Sequence, residues 1–219
     1  MEGLKLRSLW SEVVAFAPNR DTLGAIAYFI VENAGNILID CPPWNPAIQE
    51  FLQSQGVRWL FVTHRGALSK SIGAIQQALN CQVIIQEQEA YLLPELQATS
   101  FERELILGDT YRLLWTPGHS PGSACLYWPG HKGVLFSGRH LLLDRQGDPR
   151  PVRTAKTFHW YRQLESVKRL KEYFSPATLN FLCSGAGASS GEFLYCDRAW
   201  ERLGALDLET LRQVSLPQF

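Results

Sequence analysis

Residues 59–74 read Trp59-Leu60-Phe61-Val62-Thr63-His64-Arg65-Gly66-Ala67-Leu68-Ser69-Lys70-Ser71-Ile72-Gly73-Ala74. A short apolar run ends abruptly at Thr-His, and a helix-like segment starts a few residues later. This is the pattern of a buried strand that delivers one histidine to the loop at its C-terminal end. Open α/β proteins keep their sites at such strand ends.

Outward from this stretch the chain keeps alternating between strands and helices. Upstream, Leu23 to Val31 reads as a buried strand. It is joined through Glu32-Asn33-Ala34-Gly35-Asn36 to a second strand, Ile37 to Asp40, in a hairpin. Cys41-Pro42-Pro43 stops that strand. Asn45-Pro46 opens a helix, with Asn as cap and Pro in the first turn, and Gly56 closes it. Downstream of His64 come a helix carrying Ile72, Ile75 and Leu79, and a strand at Gln82 to Ile85. A second meander, Leu105 to Leu107 and Tyr111 to Trp115, delivers Thr116-Pro117-Gly118-His119. Paired strands at Ala124 to Trp128 and Val134 to Ser137 follow, then a surface loop at Asp148 to Pro151. Trp160, Leu164, Val167, Leu170 and Phe174 mark an amphipathic helix with spacing close to 3.6 residues. A strand at Leu179 to Cys183 and a helix from Phe193 to Leu203 complete the pattern. No repeat, low-complexity run or linker calls for a domain cut, so residues 1–219 read as a single domain.

Composition narrows the class. At 219 residues, 46% hydrophobic and 19% charged, the chain has the make-up of one globular α/β domain with a sizeable core. Lys plus Arg and Asp plus Glu number 21 each, so charge balance points to neither nucleic acid nor an anionic membrane as partner. The cysteines at 41, 81, 125, 183 and 196 have no C-x-x-C spacing and read as reduced, buried thiols of a cytoplasmic protein. Met1-Glu2-Gly3-Leu4-Lys5 does not open a signal peptide. The longest uncharged apolar run, Leu23 to Val31, is far short of the roughly 20 residues that span a bilayer.

Ile37 to Asp40, the Thr63-His64 loop, Thr116-Pro117-Gly118-His119-Ser120-Pro121-Gly122-Ser123, Leu135-Phe136-Ser137-Gly138 and Gly185-Ala186-Gly187 occur in an order that resembles the metallo-β-lactamase superfamily. The resemblance covers about residues 20 to 190, and the Thr-Pro-Gly-His-Ser-Pro-Gly-Ser segment is its most specific part. It implies a four-layer αββα sandwich with two metal ions, usually zinc, whose bound water attacks an ester, thioester, amide or phosphoester.

Residue by residue, the ligand positions of that family are mostly filled by other side chains. The family loop Thr-His-x-His-x-Asp-His matches at His64, but its second His falls on Gly66. Its Asp and last His fall on Lys70 and Ser71, or on Leu68 and Ser69 without a two-residue insertion. His119 matches the Thr-Pro-Gly-His ligand. The bridging Asp becomes Arg139, and the His of Gly-His-Gly becomes Ala186. Two of the family's seven ligands remain, both on the same metal, whereas a catalytic zinc site needs three protein ligands. Asp40 matches an Asp that supports the family site from behind the ligands, and capping the Pro-rich turn is its other reading.

Lys70 and Arg139 would place positive charge where the family has carboxylates holding cations. A metal-free pocket for a small anion follows, with Arg139 as a fork, Lys70 as a point charge, and Ser71 and His119 as neutral donors. The plainer reading sends both long side chains into solvent. The expectation is a non-catalytic or catalytically altered member that needs no cofactor and binds a small anion or a protein partner at the old mouth. The alternative is a hydrolase of a thioester, lactone or phosphoester, with one zinc, iron or manganese on His64 and His119. A structural subunit is a third option if Trp10, Trp44 and Trp200 form an exposed patch. His140, next to Arg139, reads as facing away along a strand, and His159 as a partnerless residue on the amphipathic helix.

Two further motifs compete. Gly187-Ala188-Ser189-Ser190-Gly191 matches the nucleophile elbow G-x-S-x-G, but no histidine follows it. The glycines at 185, 187 and 191 suggest a dinucleotide turn, with too little chain after it to build the remaining strands.

Overall fold

The computed structural model describes residues 5–186 and 193–213. The elbow and the dinucleotide turn therefore lie, but for Gly185 and Ala186, outside the described residues. The chain divides into two compact units, Met1–Glu102 and Arg103–Phe219.

The first unit is a seven-stranded sheet in the order β1-β2-β3-β4-β5-β6-β7. Its strands are β1 (Leu6–Trp10), β2 (Val13–Phe16), β3 (Tyr28–Ile30), β4 (Ile37–Ile39), β5 (Trp59–Val62), β6 (Gln82–Gln86) and β7 (Ala98–Phe101). Strands β1 to β4 pair antiparallel, and β4 to β7 pair parallel. Helices α1 (Pro46–Gln55), α2 (Ile72–Leu79) and the one-turn α3 (Glu87–Ala90) make the parallel crossovers. Asn45 caps α1 by accepting from the Ile48 N–H at 3.1 Å. Ile48, Leu52, Ile72 and Ile75 pack with Leu38, Leu60 and Val83 in one core. Ile37, Ile39, Trp59, Phe61 and Ile84, on the opposite face of the pleat, are buried as well. Burial on both faces explains why β4, β5 and β6 read as continuous apolar runs.

The strand expected from Leu23 begins only at Tyr28. Leu23 (φ 56°) and Gly24 (φ 77°) lie in the left-handed region and close a 3-10 turn at Arg20–Thr22 that the Asn19 side chain caps. Strands β1, β2 and β7 have no counterpart in the sequence reading.

The second unit is a six-stranded sheet in the order β15-β14-β11-β10-β9-β8. Its strands are β8 (Glu104–Leu107), β9 (Tyr111–Trp115), β10 (Ala124–Trp128), β11 (Val134–Phe136), β14 (Phe181–Cys183) and β15 (Tyr195–Cys196). A two-stranded ribbon, β12 (Leu142–Leu143) with β13 (Pro149–Arg150), stands where a plain surface loop was expected. Helices α4 (Trp160–Tyr173), α5 (Ala199–Gly204) and α6 (Leu208–Arg212) complete the unit. Val167 and Leu170 of α4 and Leu203 of α5 share a core with Leu114, Cys125, Leu135 and Leu182 of the sheet. The last helices start later than the expected Phe193, because Tyr195–Cys196 first pairs with β14.

All five cysteines are buried and free. Trp10, Trp44 and Trp200 are half-buried. Trp44 packs on the first core, and Trp200 on the second, donating its indole N–H to the Phe174 carbonyl at 3.0 Å. They offer no exposed aromatic patch. No helix among the described residues is long and apolar enough to cross a membrane.

Candidate functional site

In the first unit, adjacent parallel strands β4 and β5 end side by side and release Asp40 and Thr63-His64 from one sheet edge. Asp40 sits in the left-handed region at φ 62° and is 1% exposed. Asp tolerates this conformation better than most side chains, at a cost of about 1–3 kcal/mol. Hydrogen bonds offset it: the Asp40 N–H donates to the Phe61 carbonyl at 2.8 Å, continuing the strand pairing. The Thr63 N–H donates to Asp40 Oδ1 at 2.8 Å, and the Thr63 hydroxyl lies 2.8 Å from Oδ2. Buried Asn19 holds the turn after Asp40, donating through Nδ2 to the carbonyls of Cys41 and Pro42 at 2.9 and 3.0 Å.

The Thr63 hydroxyl also lies 3.0 Å from His64 Nδ1. A carboxylate only accepts, so the hydroxyl proton points to Asp40 and the oxygen must accept from His64. This places a proton on Nδ1, so that a neutral ring would carry its lone pair on Nε2. A Cβ at Gly66 would lie 3.1 Å from that Nε2, so any larger residue there crowds the ring. Behind the loop, buried Glu89 accepts from Arg65 Nε at 2.9 Å and anchors the turn at Arg65–Ala67. Lys70 is exposed and Ser71 half-buried in the turn that enters α2, and the Ser71 N–H donates to Ser69 Oγ at 3.1 Å.

In the second unit, β9 and β11 are both antiparallel to β10, and β14 is parallel to β11. The C-terminal ends of β9, β11 and β14 therefore share one edge. They carry His119, the Arg139-His140 turn and Ala186. The His119 loop is fastened to the start of α4. Gly118 (φ 141°) lies so close that a Cβ would meet the Gln163 backbone at 2.3 Å. The His159 N–H donates to the Gly118 carbonyl at 2.9 Å, Phe158 N–H to the His119 carbonyl at 3.1 Å, and Ser166 Oγ to the Pro117 carbonyl at 2.8 Å. The other two turns touch directly: the Gly185 N–H donates to the Gly138 carbonyl at 2.8 Å, and a Cβ on Gly185 would strike Gly138 at 2.7 Å.

Burial first, and then the Arg139 charge, pull the His119 pKa down to about 4. His119 is thus a neutral imidazole beside a guanidinium. His140 differs most from expectation. It lies in the turn after β11 rather than on a strand, is fully buried, and falls to about pKa 3 through burial, with His119 and Arg169 adding to the shift. Gln163 Nε2 holds its carbonyl at 2.9 Å. The signal that could have placed it was Gly138 (φ 52°), which ends the strand run. His159 has a partner after all: it caps α4, its Nδ1 accepting from the Arg162 N–H at 3.2 Å.

No group of three or more His, Cys, Asp or Glu side chains converges as metal donors among the described residues. In the first unit the loop after His64 offers Gly66, Lys70 and Ser71, and in the second Arg139 and Ala186 stand at the strand ends that share an edge with the His119 loop. The side chains present do not fit a two-metal zinc centre.

A protein-family model described as the metallo-beta-lactamase superfamily matches residues 75–173. No curated protein matches the sequence. Among solved structures, a metallo-β-lactamase from Pontibacter korlensis superposes with TM-score 0.69 at 16% identity, over 96% of this chain and 100% of that one. A metallo-β-lactamase family protein from Thermus thermophilus gives 0.65 at 17% identity, over 94% and 81%. A quorum-quenching N-acyl homoserine lactone hydrolase gives 0.59 at 16% identity, over 87% and 95%. Likeness at these identities establishes the fold, and the family match lies on the segment that carries His119, Arg139 and α4. The chain thus has the metallo-β-lactamase fold, and over residues 75–173 it is similar to the metallo-beta-lactamase superfamily.

Proposed function

We propose that this protein is a metallo-β-lactamase-fold pseudoenzyme that has lost the dinuclear centre, acts as one domain and accepts a small anion without metal. The observation that carries the reading is Arg139 within electrostatic reach of His119, at the strand end where the family keeps its bridging carboxylate. A permanent guanidinium repels divalent cations and forks onto phosphate or carboxylate oxygens. His119, neutral near pH 7, offers an N–H or a lone pair without competing for the charge. We extend the same reading to Lys70 and Ser71 in the first unit, which bring an ammonium and a hydroxyl to family ligand positions, with Asp40 as support for His64. A protein partner presenting an acidic side chain would meet the same chemistry. Calorimetry with inorganic phosphate tests the proposal: saturable one-site binding that disappears in Arg139→Ala supports it, and no heat from the wild type, or equal binding by the variant, overturns it.

A second reading has one observation in its favour. The Asp40–Thr63–His64 chain presents Nε2 as a lone pair, which is how metal-binding histidines are oriented. On that reading a zinc, iron or manganese rests on His64 in the first unit or on His119 in the second, and the substrate is a thioester, phosphoester or lactone, the last being the class named for one structural relative. Near-stoichiometric metal in protein purified without chelator would favour it over the anion reading.

A further inference from the structure

Beside His119 runs a segment whose surface chemistry an inorganic anion leaves unused. From Arg150 to Arg162 the chain reads Arg-Pro-Val-Arg-Thr-Ala-Lys-Thr-Phe-His-Trp-Tyr-Arg, without an acidic residue between Asp148 and Glu165. Phe158 and Tyr161 are 51% and 55% exposed, while Trp160 between them turns inward and donates its indole N–H to the Leu211 carbonyl at 2.9 Å. Of these three aromatic side chains only Trp160 is buried, and the two outer rings keep about half their surface exposed. They flank the exposed His159 ring at centroid separations of 6.4 Å each, which makes a short aromatic row. The row is tied to the candidate site through main-chain bonds, Phe158 to the His119 carbonyl and His159 to the Gly118 carbonyl. Exposed aromatic faces in a cationic stretch, bonded to a loop whose His119 feels the Arg139 charge, complement a ligand with a flat ring and a negative group.

We propose that Phe158 and Tyr161 are specificity residues that select a phosphomonoester bearing a flat aromatic ring. The phosphate rests on Arg139 and the ring stacks against the Phe158–Tyr161 row. This inference rests on the anion reading above. A nucleoside monophosphate and a simple aryl phosphate share the required chemistry.

Calorimetry on the full chain with inorganic phosphate, phenyl phosphate, adenosine monophosphate and hexyl phosphate separates the cases. Stacking on an exposed ring should make a ring-bearing phosphate bind about five- to ten-fold tighter than inorganic phosphate. Tighter binding of both ring compounds assigns a general aryl site, of adenosine monophosphate alone a nucleotide site, and of phenyl phosphate alone a small aryl site. Any of these supports the inference, provided that Phe158→Ala/Tyr161→Ala removes the gain and leaves inorganic phosphate binding unchanged. Both side chains are exposed and the Phe158 hydrogen bond is main-chain, so the double variant keeps the fold. A gain equalled by hexyl phosphate, a gain that survives the double variant, or no gain at all overturns the inference and leaves the anion reading intact. Failure of inorganic phosphate to bind the wild type overturns both.

Discussion

Replacing Thr63 by valine deletes one hydroxyl and keeps the side-chain shape. The whole effect therefore reports on the Asp40–Thr63–His64 chain. Two contacts vanish together: the 2.8 Å bond to Asp40 Oδ2 and the 3.0 Å contact with His64 Nδ1. Both partners are 1% exposed, so water does not replace the hydroxyl. A hydrogen bond to a charged group is worth about 1.5–3 kcal/mol, and a buried N–H left without its acceptor costs about 1–3 kcal/mol. Because one hydroxyl serves both, the two figures overlap, and the expected loss of stability is about 3 kcal/mol. Urea unfolding at pH 7.5 measures it through the shift in midpoint at constant slope. Thr63→Ser keeps the hydroxyl and should cost less than half as much. Nitrogen NMR of the imidazole provides the second readout: Nδ1 carries the proton in wild type and Thr63→Ser, and the tautomers mix in Thr63→Val. A loss below about 1 kcal/mol, or serine behaving like valine, would refute the relay.

Gly118→Ala forces a Cβ against the Gln163 backbone and should destabilise the second unit by about 3 kcal/mol or more, as read by thermal unfolding; a neutral result would contradict the tight loop–helix contact. The folded-state pKa values of His119 and His140, about 4 and about 3, lie below the ordinary 6.5, so the unfolded chain binds more protons between those limits. Their contribution is complete above about pH 6.5 and is lost as pH falls towards 4 and 3, so stability should drop by about 2 kcal/mol per histidine between about pH 7.5 and 5. Urea midpoints across that range should fall steeply in wild type and less in His140→Gln. Burial pushes Cys41, Cys125 and Cys196 up to about 12 and Cys81 to about 11, and Cys183 rises as well. All should resist a disulfide-exchange reagent at pH 8 until denaturant is added; rapid labelling of native protein would contradict their burial.

Much of the architecture can be read from local chemistry. Asn45-Pro46 specifies where α1 starts, and the spacing from Trp160 to Leu170 specifies α4, because caps and helical periodicity act within one turn of chain. The apolar runs of β4, β5 and β6 are equally legible, since both their faces are buried. Edge strands are harder: Leu6-Arg7-Ser8-Leu9-Trp10 and Ala98-Thr99-Ser100-Phe101 are partly exposed, and pairing with a neighbour, not composition, makes them strands. Leu23-Gly24 extends an apolar run that the backbone breaks with two left-handed residues. The site divides in the same way. The positions of His64, His119 and Arg139 at strand ends follow from motif order. The hydroxyl bridge from Asp40 to His64, and the burial of His140 against His119 and Arg169, depend on turns that bring together residues distant in the chain.

Equilibrium dialysis against zinc tests the central claim most directly. A pseudoenzyme with the donor set described here should take up less than one zinc per chain at micromolar free metal, and the His119→Ala variant should behave like wild type. Two zinc ions per chain held at submicromolar concentration, released on replacing His119, would contradict the account.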